Sequence, residues 1–85
     1  EPDFENFPGL SLAYKAGKTG GSLPTVFNAA NERAVSMFLN RKIGYLTIAE
    51  IIESAMERHK VIPDPTVDQI LEAERETYDY IESRW

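Results

Sequence analysis

The chain has no cysteine and a single histidine, His59. The first absence excludes disulfides and every thiolate metal site. The second means that a zinc centre would have to be built mostly from carboxylates. A cysteine-free chain also fits a reducing compartment. No run approaches the ~20 apolar residues needed to span a bilayer, so no membrane partner is expected. Basic residues are scarce: nine Lys and Arg against fourteen Asp and Glu leave a formal net charge of −5. Nucleic-acid binding needs a basic face, and this balance argues against it. Internal repeats and low-complexity tracts are absent as well.

What is present describes one small domain. A chain of 85 residues hides only about 60–65% of its unfolded surface on folding, so its stability margin is thin. An apolar content of 42% is ordinary for a folded domain. The chain opens on Glu1-Pro2-Asp3-Phe4-Glu5, acidic and without an initiator Met or a signal-peptide pattern. That opening reads as a piece of a longer protein.

Three breaks divide the chain into four periodic segments after an extended, acidic and aromatic arm over residues 1–7. The breaks are Gly17 with Gly20-Gly21, the stretch Asn40 to Gly44, and Pro63-Asp64-Pro65, where each proline disfavours helix at the residue before it. The expected helices cover about 8–16, 23–40, 48–59 and 66–83. In the first, Pro8 suits the opening turn, and Leu10, Ala13, Tyr14 and Gly17 share a side. In the second, Ser22 is placed to cap and Pro24 sits in the first turn; the expected apolar face is Phe27, Ala30, Ala34, Val35 and Phe38, with Val26 and Met37 at its margins.

The third segment opens on Thr47 with Glu50 three residues later, a capping-box pattern. It repeats Ile48, Ile51, Ile52, Ala55, Met56 and His59 at i, i+3, i+4 spacing. The fourth carries Val67, Ile70, Leu71, Glu74, Tyr78, Ile81 and Trp85 on one stripe after a possible Thr66 cap. No segment alternates as a strand does. The fold class is therefore all-α: a small antiparallel bundle of four helices with short turns and an extended amino-terminal arm.

Candidate chemistry is thin. Gly17-Lys18-Thr19-Gly20-Gly21-Ser22 precedes a helix but lacks the Gly-x-x-x-x-Gly-Lys-Ser/Thr spacing and the leading strand of a phosphate loop, so it reads as a helix–helix turn. Glu50, Glu53 and Glu57 form an acidic edge on the third helix, and Glu72, Glu76 and Asp79 another on the fourth. A di-metal bundle also wants Glu-x-x-His motifs, which are missing, so both edges read as solvated faces. His59 suits the carboxyl end of a helix dipole and has no acid–base partner that the sequence suggests. Asn31 falls on the expected apolar face of the second helix. A buried amide there needs its donors and acceptor paired, and the expected partners are backbone groups of the Asn40–Thr47 connection or a neighbouring helix end. Asn28, one turn back, is placed to serve the Gly20-Gly21 turn or a partner domain. Both are assigned structural roles, and Glu32 is expected to face solvent or pair with a basic residue. No catalytic, cofactor-binding or metal-ligating residue is assigned.

The run Phe27-Asn28-Ala29-Ala30-Asn31-Glu32-Arg33-Ala34-Val35 is nevertheless distinctive. It follows Phe7-Pro8-Gly9-Leu10-Ser11-Leu12-Ala13-Tyr14 and precedes Leu39-Asn40-Arg41-Lys42-Ile43-Gly44. Together these motifs resemble the C-terminal domain of the 1-deoxy-D-xylulose-5-phosphate reductoisomerase family, from about Phe4 to the end of the chain. The resemblance implies a parent enzyme that uses NADPH and Mg²⁺ or Mn²⁺ to convert 1-deoxy-D-xylulose 5-phosphate into 2-C-methyl-D-erythritol 4-phosphate, in non-mevalonate isoprenoid synthesis. It implies a cytoplasmic or plastid homodimer whose NADPH-binding and catalytic domains are this domain's partners. None of the family's cofactor, metal or substrate motifs lies in these residues, so no catalytic residue carries over. Separated from its parent, the domain is expected to self-associate weakly through Phe4, Phe7 and Trp85. A free-standing helical interaction module is the alternative reading.

Overall fold

A computed structural model describes residues 8–85. They form four helices, α1 (Pro8–Thr19), α2 (Leu23–Leu39), α3 (Tyr45–Arg58) and α4 (Val67–Arg84), and no strand. The fold is all-α. The expected arm, with Phe4 and Phe7, lies outside the described residues.

The central element is α2. It packs against each of the other three helices, as α3 does less extensively, whereas α1 and α4 do not meet. The result is flattened, 34 × 34 × 17 Å. Val26, Ala30 and Ala34 of α2 are fully buried, with Ile51 and Ile52 of α3 and Ile81 of α4. Small residues on a central helix let its neighbours approach closely, because interaxial distance follows the side chains at the contact.

This packing rotates two helices from their expected faces. On α2 the buried residues are Leu23, Val26, Ala29, Ala30 and Ala34, while Phe27, Val35 and Phe38 are only half-buried. At about 100° per residue, the buried arc is turned roughly 80° from the one that the bulky side chains mark. On α4 the interior takes Ala73, Thr77 and Ile81, and Val67, Leu71 and Glu74 are exposed. Thr77 tolerates burial because its hydroxyl donates to the Ala73 carbonyl one turn back, at 2.8 Å. On α3 the expected residues Ile51, Ile52, Ala55 and Met56 are the buried ones. On α1 the core takes Ala16 and Leu12, and leaves Leu10 and Tyr14 on the expected side exposed.

Helix ends also differ. α3 begins at Tyr45, three residues before its expected start, on Gly44 without a side-chain cap. Thr47 therefore lies within the helix rather than capping it. The capping box is on α4, where Thr66 accepts from the Gln69 amide at 3.1 Å and Gln69 Oε1 accepts from the Thr66 amide at 2.9 Å. α4 is clamped along its length. Ser54 and Tyr80 hydroxyls meet at 2.5 Å, Arg33 pairs with Glu82 at 2.5 Å, and the Tyr78 hydroxyl donates to Glu32 at 2.8 Å. The hydrogen bond to the Glu32 carboxylate, more than burial, holds the Tyr78 phenol above its usual pKa. The Arg33 guanidinium lies 4.6 Å from the Tyr78 ring centroid.

Candidate functional site

Two places on the domain combine unusual side chains. The first is where the α1–α2 turn meets the α3–α4 connection. Gly20 and Gly21 turn the chain with φ of 72° and 59°, a conformation that favours glycine. Gly21 has a second reason: a Cβ there would run into the Ile62 carbonyl oxygen and come within 3.0 Å of Pro63 Cα. The two segments are held by a pair of bonds at one residue. The Ser22 amide donates to the Ile62 carbonyl at 2.9 Å, and the Ile62 amide donates to Ser22 Oγ at 2.8 Å. Ser22 occupies the cap position of α2 but makes no side-chain cap bond, because its oxygen is already engaged there.

Ser22 Oγ also lies 2.7 Å from His59 Nε2. That is the spacing of a serine nucleophile and its base. The rest of the constellation is missing. The serine is completely buried, its oxygen already accepts from the Ile62 amide, and among the described residues no carboxylate is hydrogen-bonded to the ring. Burial, then the nearby Arg58 charge, push the His59 pKa below its usual value, against the opposing pull of Glu76. The contact ties the α1–α2 turn to the end of α3 and works as a fastener. The adjoining recess of about 260 Å³ is lined by both signs of charge, Arg58 and Lys60 with Glu72 and Glu76, and so has no strong preference for either sign of ion. Among the described residues no group of three His, Cys, Asp or Glu is placed to hold a metal ion, and no helix is long and apolar enough to cross a membrane.

The second place is a groove of about 550 Å³ between α1, α2 and α3. Leu10 and Ala13 of α1, Val35 of α2, and Leu46 and Ile52 of α3 line it, and none of the described residues that line it is charged. Its one side-chain amide is Asn31. The expectation that Asn31 is buried fails, because α2 is rotated and Asn31 falls at the edge of the buried arc, exposed. Asn28 is exposed too, and the turn it was placed to serve is held by Ser22 instead. Neither amide side chain is hydrogen-bonded to another described residue. The acidic edges face solvent as expected: Glu50, Glu53 and Glu57 are exposed, and on α4 Arg75 is paired with Glu72 and, at 2.7 Å, with Asp79. Trp85 is 38% exposed and meets the Tyr80 ring edge-on at 6.3 Å, which makes it less available than an unpacked terminal aromatic.

The sequence matches the DXP reductoisomerase C-terminal domain over residues 1–80. It is 57% identical over 84 residues to a protein of Agathobacter rectalis named 1-deoxy-D-xylulose 5-phosphate reductoisomerase, a match covering 99% of this chain and 22% of that protein. Similar proteins of the same name occur in Lachnoclostridium phytofermentans, 60% identical over 96% of this chain and 21% of the relative, and in a Geobacillus species, 57% identical over 95% of this chain and 21% of the relative. The chain thus spans 21–22% of the length of these relatives.

Proposed function

Since the chain belongs to the 1-deoxy-D-xylulose 5-phosphate reductoisomerase family, as its C-terminal domain, we propose that it acts as a non-catalytic accessory domain packed on the catalytic domain of that enzyme. The parent reaction is the rearrangement and NADPH-dependent reduction of 1-deoxy-D-xylulose 5-phosphate to 2-C-methyl-D-erythritol 4-phosphate in isoprenoid synthesis. It takes place in a cytoplasmic homodimer, or in a plastid where the organism has one. The domain match over residues 1–80 carries the reading.

The described residues do not suit the cofactors of that reaction. They offer no acidic cluster for Mg²⁺ or Mn²⁺ and no glycine-rich turn between a strand and a helix for the NADPH pyrophosphate. Those groups belong to the other domains, and the contribution of this one is mechanical. In this reading Asn28 and Asn31, both exposed, act as surface amides directed at a partner domain. The reading is tested by supplying the 85-residue chain with NADPH, Mg²⁺ and substrate. No turnover is expected, and turnover would refute it. Deleting the domain from the full-length enzyme should lower the enzyme's melting temperature; an unchanged value would leave the accessory role without support.

A further inference from the structure

The apolar side of α1 is not used by the domain's own core. Leu10 and Ala13, which share one side of α1, line the groove, and Leu10 is 44% exposed. Across the groove Leu46 of α3 is 79% exposed and its neighbour Tyr45 67% exposed. Leucine at this exposure is unremarkable singly. Here the exposed residues converge from two helices on one concave, uncharged surface, which is the form of an interaction site.

Asn31 gives that surface a direction. Its amide stands on the groove wall with two donors and one acceptor and no side-chain hydrogen bond to a described residue. An amide of this kind can pair with a main-chain N–H and C=O together. The same residue buried without partners would be costly, so an occupant that covers it must bring polar backbone to it. The lining excludes a charged occupant, because nothing in it would compensate a buried charge.

The position of the groove selects the occupant. The relatives carry this domain on 21–22% of their length, leaving about four-fifths of each protein beyond it. In a C-terminal domain that additional polypeptide is joined ahead of α1. α1 starts at Pro8, and the next two residues, Gly9 and Leu10, are on the groove wall. The preceding domain is therefore joined to α1 through residues 1–7, and covalent linkage gives it a high effective concentration near the groove. α4 contributes no residue to the groove and carries the Arg75 ion pairs on its exposed side, which suits it to solvent.

We propose that the α1–α2–α3 groove receives an uncharged, apolar segment of the reductoisomerase's preceding domain, with the Asn31 carboxamide hydrogen-bonded to that segment's main chain. This rests on the accessory-domain reading and says which face does the docking. The test uses full-length reductoisomerase carrying this domain, with Leu46→Glu, Asn31→Ala and, as a matched control, Leu71→Glu. Leu71 is a 57% exposed leucine on α4, outside the groove. Limited proteolysis reads release of the domain, and calorimetry reads whether it unfolds with the rest of the enzyme.

Leu46→Glu should speed proteolytic release by about tenfold or more, the factor that 1.4 kcal/mol represents, and should split the unfolding transition. The melting temperature of the separate 85-residue chain should not change. Asn31→Ala should act in the same direction but less, and Leu71→Glu should do neither. An inert Leu46→Glu beside a disruptive Leu71→Glu would overturn the groove and leave the accessory role standing. If neither variant acts and deletion of the whole domain is also silent, the accessory reading falls with it. An inert Asn31→Ala would overturn the main-chain contact. Concentration-dependent dimers of the 85-residue chain that Leu46→Glu abolishes, without any effect in the full-length enzyme, would assign the groove to a second copy and overturn the proposed occupant.

Discussion

Ser22→Ala is the most informative perturbation of the domain's stability. It removes one oxygen and leaves the backbone bond from the Ser22 amide to the Ile62 carbonyl in place. Two contacts are lost: the 2.8 Å bond from the Ile62 amide and the 2.7 Å contact with His59. The first loss strands a donor, which costs about 1–3 kcal/mol when water does not replace the partner. The second removes a hydrogen bond of ordinary net worth, about 0.5–1.5 kcal/mol. Both contacts are part-buried, so partial hydration lowers the sum, and about 2 kcal/mol is the expected loss.

In a domain of this size each 1 kcal/mol moves the melting temperature by roughly 4–8 °C, so Ser22→Ala should melt about 8–16 °C lower. Circular dichroism at 222 nm (the helical band) or calorimetry measures it directly. Because Ser22 makes no cap bond to α2, the loss should come from release of the α3–α4 connection rather than from fraying of α2. Faster amide exchange at Ile62 than at the start of α2 would show that. A melting temperature unchanged within error would refute the argument, since it would mean that the fully buried oxygen contributes nothing to holding the two turns together.

Four further outcomes follow from the same structure. Gly21→Ala should destabilise more than Gly20→Ala, because both pay about 1–2 kcal/mol for positive φ but only Gly21 lies against Ile62 and Pro63; equal losses in urea denaturation would contradict this. Stability should fall as pH drops through the unfolded-state His59 value of 6.5, since the unfolded ring then binds a proton that the folded ring, with its lowered pKa, resists; His59→Gln should flatten that slope in pH-dependent melting. Thr66→Ala should cost about 1 kcal/mol by chemical denaturation through loss of the capping box with Gln69, and no loss would mean that the box does not hold the start of α4. Asn31→Leu should leave the melting temperature of the 85-residue chain nearly unchanged because Asn31 is exposed, and a clear drop would restore the buried amide that the sequence suggested.

The helix count and order were legible because punctuation is local. Pro63 and Pro65 fix φ at their own positions, and Gly20-Gly21 open the left-handed region at theirs, whatever surrounds them. The second break was legible only approximately. It turns on Arg41, a non-glycine residue at φ 60°, and α3 then starts early on Gly44 without a capping side chain to announce it. The Thr66–Gln69 box has a sequence pattern that could have been read in full. The Ser22–His59 contact joins residues 37 positions apart, and no local rule connects them.

The rotations of α2 and α4 have a common cause. A hydrophobic pattern weights large side chains, so Phe27, Val35 and Phe38 drew the expected face of α2 toward themselves, and Val67, Leu71 and Tyr78 did the same on α4. The interior favours close helix approach, which small residues allow: it keeps Ala30 and Ala34 of the expected face and adds Ala29, Ala73 and Thr77. The half-buried aromatic and branched residues then lie at the edges of the seam. Asn31 followed the same error: it shares a face with Val35 and Phe38, but that face borders the groove rather than the core.

A helical stripe records burial against something without saying what. In a chain spanning about a fifth of its relatives' length, contacts within the domain and contacts with any docking partner are written in the same periodicity. They separate only where a stripe expected to be buried is found exposed. Leu10 on α1 and Asn31 on α2 are exposed, and with the half-buried Ala13 and Val35 they line one groove whose described residues carry no charge. Val67 and Leu71 on α4 are also exposed, but they share their helix with the Arg75 ion pairs and line neither recess. The mismatch between pattern and burial therefore favours the α1–α2–α3 side over the α4 side as the proposed docking surface.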